Sequence, residues 1–271
     1  MPVRISRRAV VGGLGALGSL SVFGPGFAQA LSQANAQASA QASAQASAQG
    51  SQENGLCLTM IYGPKAKFES DRYRDKHLPL LRRLYGDSLE RVEMRHAPHP
   101  GKDVPPAPIV ATVNLWIRDL KTFGTITQQS GAEIVADLAK VTSDKPWVQY
   151  DQTVVALGDA RGAVRLGSDC MTYFYPNGEN ARWDAKLYAE GYVPQLVEAY
   201  GKDTFSRIEV CKGTAAQGGG KPGFAGAMNL YVHDMQAYLR GGMAAMKLMP
   251  EAMKATDIRP VVAGLIVRAV G

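Results

Sequence analysis

Residues 68–79 read F-E-S-D-R-Y-R-D-K-H-L-P, and residues 183–194 read W-D-A-K-L-Y-A-E-G-Y-V-P. A shift of 115 residues aligns an aromatic residue, an acid, a tyrosine and a proline in the two stretches. The aligned pairs are Phe68 and Trp183, Glu69 and Asp184, Tyr73 and Tyr188, and Pro79 and Pro194. One pair differs in chemistry, because His77 aligns with Tyr192. The repeat predicts two copies of one structural unit, and its asymmetry indicates where chemistry could reside.

A second motif extends the repeat, since N-L-W-I-R-D-L at 114–120 returns as N-L-Y-V-H-D-M at 229–235. Apolar spacing predicts the order strand, helix, strand, strand, helix, strand in each copy. In the first copy the predicted strands are 57–62, 89–96, 109–117 and 147–157, and the predicted helices are 69–85 and 119–140. In the second copy the predicted strands are 170–175, 206–212, 225–232 and 261–270, and the predicted helices are 184–200 and 234–253. We expect a kink at Pro79 and a break of the 119–140 helix near Ser130 and Gly131.

The order βαββαβ is that of a ferredoxin-like unit, whose sheet is covered by helices on one face only. Two such units can bury their bare faces against each other. The sequence therefore predicts an α+β fold in which repeats at 56–158 and 169–271, joined by a linker at 159–168, form one intramolecular dimeric α/β barrel. One repeat alone is expected to expose a large apolar patch and to associate.

The N-terminus has the features of a targeting segment. Paired arginines at 7–8 precede an apolar run and A-Q-A at 28–30, which predicts a twin-arginine-like signal peptide at 1–30; an ordinary secretory signal or an uncleaved anchor is the alternative. An Ala-, Gln- and Ser-rich stretch at 31–55 is typical of a disordered linker. Loss of three arginines lowers the formal charge from +6 to +3, which favours neither nucleic-acid nor membrane partners. We expect no membrane span in the mature chain and a periplasmic or secreted location.

A strand ending in tyrosine, an aromatic-acidic helix start and Y-x-x-x-H-x-P together resemble the EthD family of the dimeric α/β-barrel superfamily. The resemblance covers 57–157 and, less faithfully, 170–270. It implies the barrel fold, a role in catabolism or tailoring of small aromatic or polyketide-type molecules, and a functional histidine at His77. The second copy departs from the motif, because Tyr192 stands in place of the histidine.

His77 is the candidate catalytic residue, since a neutral imidazole can carry a proton near neutral pH. A buried structural histidine is the alternative. The candidate substrate-binding residues share an aromatic ring or an amide beside the repeated motifs, and the alternative for the aromatic ones is a place in the core. They are Tyr62, Tyr73, Asn114, Trp116, Tyr188 and Tyr192.

Metal ions and cofactors are not expected. His96 and His99 supply too few ligands for a zinc site. Cys57, Cys170 and Cys211 lie on predicted strands and are expected to be buried thiols without an essential disulfide. Haem is an alternative that the superfamily resemblance brings in, with His77 or His233 as its axial ligand.

These features predict an exported EthD-like enzyme that acts on a small apolar, aromatic or carbonyl compound. A cofactor-independent oxygenase, decarboxylase or isomerase with proton transfer by His77 fits the residues. The alternative is a periplasmic binding or accessory protein of a catabolic pathway that holds the same ligand without turnover. The expected partner is a small molecule, and a homodimer of the pseudo-dimeric chain is possible.

Overall fold

The computed structural model describes residues 55–100, 104–158, 164–217 and 219–271. The predicted signal peptide at 1–30, all but the last residue of the linker at 31–55, and residues 159–163 of the second linker lie outside this range. Within the described part of the chain, no helix combines the length and the hydrophobicity needed to span a membrane.

Eight antiparallel strands close into one barrel in the order β1-β3-β2-β8-β5-β7-β6-β4. The strands are β1 (Gly55–Tyr62), β2 (Leu89–His96), β3 (Ala111–Ile117), β4 (Trp147–Leu157), β5 (Asp169–Pro176), β6 (Phe205–Ala216), β7 (Phe224–Val232) and β8 (Val261–Val270). Each half contributes four neighbouring strands in the ferredoxin-like order. The predicted fold, two ferredoxin-like units that form an intramolecular barrel, is confirmed.

Two strand pairings join the halves. β2 pairs with β8, with Arg95 opposite Val267, and β4 pairs with β6, with Thr153 opposite Cys211. Each half would otherwise leave β2 and β4, or β6 and β8, as open edges with unpaired backbone groups. Closure of the barrel within one chain therefore satisfies all four edges.

Two helices of the structure are interrupted by π turns at equivalent places. The first, α1 (70–85), consists of Ser70–Arg72, a π-helical turn Tyr73–His77 and Leu78–Tyr85. The third, α3 (185–200), has the same order, with its π turn at Tyr188–Tyr192. A proline follows each π turn, and because proline lacks an N–H the regular ladder cannot run through it. The expected irregularity near Pro79 is therefore a π turn that precedes it.

The other helices differ from prediction in where they break. α2 (Leu120–Leu138) runs without interruption through Ser130 and Gly131, so the predicted break is wrong. Its N-terminus is capped by Asp119, and a single glycine costs a helix only about 1 kcal/mol. The predicted helix at 234–253 is instead two helices, α4 (Met235–Met246) and α5 (Met249–Ala255), because Pro250 starts a new helix.

The strands have two buried faces of opposite character. The face under the helices is apolar: Leu58, Met60, Val92 and Met94 lie there in the first half. The face inside the barrel carries polar and charged side chains, among them Glu93, Arg95, Asp151 and Glu209, which are 0–4% exposed. The expected apolar face between the repeats is therefore found only in part: Ile61 of the first half packs with Phe174 and Leu265 of the second, and charged residues occupy the rest of the interior. Both charge pairing and apolar contact therefore join the halves across the interior.

Candidate functional site

An aromatic cluster lies between the first-half sheet and α1. Tyr62 ends β1, Phe68 makes an isolated bridge with Thr142, and Tyr73 and His77 are the two ends of the π turn. The ring centroids are 4.9 Å apart for Tyr62 and Phe68, 5.8 Å for Phe68 and Tyr73, and 5.1 Å for Tyr73 and His77. We call these four residues the first-half cluster. Irregular π turns often occur at functional sites, and here the turn places Tyr73 and His77 on the same face.

His77 forms a hydrogen-bonded pair with Asp137 at the end of α2. The Nδ1 atom lies 2.9 Å from Oδ2 of Asp137, and the His77 side chain is 2% exposed. Burial lowers the pKa of His77, and the neighbouring Asp137 offsets part of that shift. The ring is therefore neutral near pH 7, and the carboxylate selects the tautomer with its proton on Nδ1. In this tautomer Nε2 is a proton acceptor.

The carboxyl group of Asp137 remains ionised beside this ring. Burial alone would raise its pKa, but the hydrogen bond and charge of His77, together with Lys140, bring it below the ordinary value. The Nζ atom of Lys140 lies 3.5 Å from Oδ1. The arrangement is that of an oriented base: a carboxylate holds one ring nitrogen and leaves the other for chemistry.

Two hydroxyl groups of the first-half cluster are buried without a hydrogen-bond partner among the described residues. They belong to Tyr62 and Tyr73, whose side chains are both 0% exposed. Burial raises the pKa of both phenols, and for Tyr73 the nearby Tyr62 adds to the shift. Both groups therefore stay protonated and can donate a hydrogen bond. A buried unpaired hydroxyl is rare, and a bound ligand or water is an ordinary explanation.

The equivalent residues of the second half bond to each other instead. The hydroxyls of Tyr175 and Tyr188 are 2.6 Å apart, and the Tyr188 ring lies 4.7 Å from that of Tyr192. Trp183 stacks on Tyr175 at 4.3 Å and donates its Nε1 hydrogen to the backbone oxygen of Cys211. Burial raises the pKa of Tyr192 to about 12, so this phenol is no proton carrier near neutral pH. The second-half cluster is internally satisfied.

Asn114 and Trp116 lie elsewhere, on the interior face of β3. The guanidinium carbon of Arg91 sits 3.6 Å from the centre of the Trp116 ring, a close cation–π contact. The Nδ2 atom of Asn114 is buried without a partner among the described residues, beside an interior space of about 10 Å³. The structure thus brings Tyr62, Tyr73 and His77 together, places Tyr188 and Tyr192 in the other half, and separates Asn114 and Trp116 from both.

The barrel interior holds an ion network centred on Glu209. This carboxylate accepts hydrogen bonds of 2.7 Å from Arg91 Nη2 and from Arg207 Nε, and Arg95 Nη2 lies 3.7 Å from it. Burial would raise the pKa of Glu209, but the three arginines hold it well below the ordinary value. Glu209 therefore remains ionised, although it is fully buried.

Arg95 extends this network across the halves. It pairs with Glu93 on its own strand and donates to Asn229 Oδ1 at 2.7 Å and to the Tyr231 hydroxyl at 2.6 Å. That hydroxyl in turn donates to Glu93 Oε1 at 2.9 Å. Asp151 lies elsewhere in the interior, where Gln149 donates to it at 2.6 Å, and burial raises its pKa to about 6.

The described residues do not fit a haem. The ring of His77 is 2% exposed and lies 5.1 Å from that of Tyr73, which leaves no room for a porphyrin beside it. His233 is exposed at a cleft of about 720 Å³ where β5 and β6 begin, and the described walls of that cleft mix the charges of Lys202 and Asp203. A protein ordinarily encloses a haem in a pocket that limits access to the iron, and this cleft is open to solvent.

Neither histidine pairs nor thiols form a metal centre in the described part of the chain. The rings of His96 and His99 are 5.9 Å apart, and no three His, Cys, Asp or Glu side chains converge. Cys57, Cys170 and Cys211 are buried, as predicted. Burial raises the pKa of the Cys170 thiol to about 11 and also raises that of the other two, so these thiols are protonated and unreactive near pH 7.

Two structural features, the His77–Asp137 pair and the interior ion network, have weak or no signal in the sequence. Asp137 is 60 positions from His77 in the sequence. An acidic residue on an amphipathic helix is usually solvent-exposed, so the sequence does not indicate that Asp137 pairs with His77. The interior network has a signal, since charges alternate with apolar residues along β2, but such alternation usually marks a solvent-facing side. Here the charged side is enclosed because the sheet closes on itself.

No protein-family profile matches the sequence, and no curated protein sequence matches it. Among solved structures, a proposed monooxygenase from Fusobacterium nucleatum aligns over 81% of this chain and 95% of its own, with 10% identity and a TM-score of 0.50. An anthrone oxidase-like protein aligns over 81% of this chain and 94% of its own, with 13% identity and a TM-score of 0.44. An EthD-like protein from Ralstonia eutropha aligns over 37% of this chain and 91% of its own, with 22% identity and a TM-score of 0.34. Identities this low bear on the fold alone, and the chain has the dimeric α/β-barrel fold built from ferredoxin-like halves.

Proposed function

We propose that this chain is an enzyme that moves a proton on a small apolar, aromatic or carbonyl compound bound at the first-half cluster. One observation carries the proposal: an oriented, neutral His77 lies beside two buried phenols that lack a partner, whereas the second half has neither feature. A cofactor-independent oxygenase, decarboxylase or isomerase of the EthD type would use such a base.

In this proposal Nε2 of His77 takes an acidic proton from the substrate. Tyr62 and Tyr73 donate hydrogen bonds to the substrate oxygen on which negative charge develops, and the low-polarity surroundings strengthen those bonds. Asp137 stabilises the imidazolium that forms. Since His77 and both tyrosines are almost fully buried, substrate reaches them only when the packing around α1 opens locally.

The experiment measures exchange of substrate hydrogen for deuterium in D2O, followed by proton NMR over a panel of small aromatic ketones and phenols. His77→Ala should lower the exchange rate per folded molecule by about 10²–10⁴-fold. Tyr192→Phe, in the equivalent position of the second half, should leave the rate nearly unchanged. Equal rates for wild type and His77→Ala would refute the catalytic role. Ligand binding without exchange in the wild type would favour the binding-protein alternative.

Export belongs to the same proposal. The paired arginines at 7–8 precede an apolar run, as in signals of the twin-arginine route, which would deliver the chain to the periplasm or outside the cell. Arg7→Lys with Arg8→Lys keeps the charge but removes the paired guanidinium groups, so it should block export. Undiminished export of that variant would point to the general secretory route.

A further inference from the structure

The described surface concentrates its large exposed apolar side chains on α4 and α5. Nine large apolar residues are strongly exposed in the described part of the chain, and five of them fall between positions 239 and 253. The five are Leu239 (65%), Met243 (74%), Met246 (67%), Met249 (53%) and Met253 (59%). We call them the methionine stripe.

Helical geometry places the three members of the stripe on α4 along one face. Leu239, Met243 and Met246 follow at intervals of four and three, which places them along one side of α4. The opposite side is fixed against the protein, because Gly241 sits so close to Tyr200 that a Cβ there would lie 2.3 Å from that ring, and Ala245 is buried. The helix therefore cannot rotate to bury its methionines.

The first half lacks the stripe. At the same shift of 115 residues, α2 carries Gly124, Gln128 and Gly131 opposite the three stripe positions of α4. Beyond α4 the two copies align at a shift of 114, since Thr142 and Thr256 make the equivalent bridges, so Val135 and Ala139 stand opposite Met249 and Met253. A face that lacks large apolar side chains in one copy and carries them, exposed, in the other does not follow from the fold. The second copy has acquired a surface of its own.

We infer that the methionine stripe binds the same stripe of a second copy of this chain. Its five side chains together expose several hundred Å² of apolar surface. That area is similar to or larger than the largest contiguous apolar patch on a typical monomeric protein. Two stripes laid against each other approach the roughly 1,200 Å² at the lower end of specific interfaces. In sequence Met246 is the middle of the five, so we place the two-fold axis of an isologous contact there, which brings the two Met246 side chains together. Methionine adapts its shape to such a self-contact.

Sedimentation velocity of the full chain over a range of concentrations tests this inference. The wild type should change from monomer to dimer as concentration rises. Met243→Gln with Met246→Gln, which gives the stripe the polarity of Gln128, should weaken the dimer at least tenfold. Leu187→Gln, an exposed apolar residue on α3 outside the stripe, should leave it unchanged. Circular dichroism melts of both variants check that they are folded.

A second measurement locates the two-fold axis. Met246→Cys should form a disulfide-linked dimer under mild oxidation, whereas Leu187→Cys and the wild type, with its three buried cysteines, should not. A wild type that stays monomeric at every concentration, or a double glutamine variant that dimerises like the wild type, would overturn the inference. It would equally be overturned if the stripe bound anionic lipid vesicles while the chain remained monomeric.

Discussion

The hydroxyl groups of Tyr62 and Tyr175 occupy equivalent positions of the two halves but differ in bonding. The Tyr175 hydroxyl is bonded to Tyr188, whereas that of Tyr62 is buried without a partner among the described residues. Tyr175→Phe should therefore lower the free energy of unfolding by about 0.5–1.5 kcal/mol, the net value of a hydrogen bond. Tyr62→Phe removes only an unsatisfied group, so it should be neutral or stabilising. Urea unfolding of both variants measures the difference, and equal losses would contradict the asymmetry.

The pKa of His77 makes a second prediction at the residue scale. Burial lowers that pKa, so the neutral base persists below pH 6.5, and the acid limb of the rate profile should lie below this value. Asp137 raises the pKa of His77, so Asp137→Asn should move the acid limb to still lower pH and reduce turnover by about 10²-fold or more. A purely structural Asp137 would alter stability and leave the position of the limb unchanged.

Single residues also show how far the sequence alone reaches. The exchange of His77 for Tyr192 is visible in the repeat and indicates which half to examine. The unpaired state of the Tyr62 hydroxyl is not visible, because strand pairing makes Tyr62, opposite Ala111, equivalent to Tyr175, opposite Gly226, and the two residues are chemically identical. Only the packing around each ring, with Phe68 in one half and Trp183 in the other, separates them.

At the scale of elements, Asp151 on β4 links stability to pH. Burial raises its pKa to about 6, against about 3.9 in an unfolded chain, so the folded state favours the protonated form. The contribution of Asp151 to the free energy of unfolding is therefore fully present below pH 4. It is lost as the pH rises through 6, and the free energy of unfolding falls by up to about 3 kcal/mol. Asp151→Asn should remove that slope and be more stable than wild type above pH 6. Unfolding measured from pH 4 to 8 checks it; an unchanged slope would contradict the assignment.

Strand and helix types followed from apolar spacing, whereas their irregularities and faces did not. β2 alternates charged and apolar residues, but every residue from Val92 to His96 is buried, so alternation could not tell the interior face from the helix face. Pro79 and Pro194 indicate an irregularity in each helix, but they do not reveal that it takes the form of a π turn. Gly131 is tolerated because packing of α2 outweighs its intrinsic cost.

At the scale of the whole molecule, the charged interior belongs to neither half alone. Arg91 and Arg95 come from the first half, and their partners Glu209, Asn229 and Tyr231 come from the second. Separation of the halves would expose these charges to water and break two edge pairings. Removing one partner from such a buried network ordinarily costs about 3–5 kcal/mol.

Residues 55–158 expressed alone test the claim that one barrel is shared by two interdependent halves. This fragment has two open edges, β2 and β4, and an interior face whose Arg91 and Arg95 have lost Glu209, Asn229 and Tyr231 but keep Glu93. Sedimentation velocity with circular dichroism should find it either dimeric, with two fragments rebuilding a barrel, or poorly folded and associating. A fragment that is monomeric, fully folded and as stable as the full chain would contradict the shared barrel.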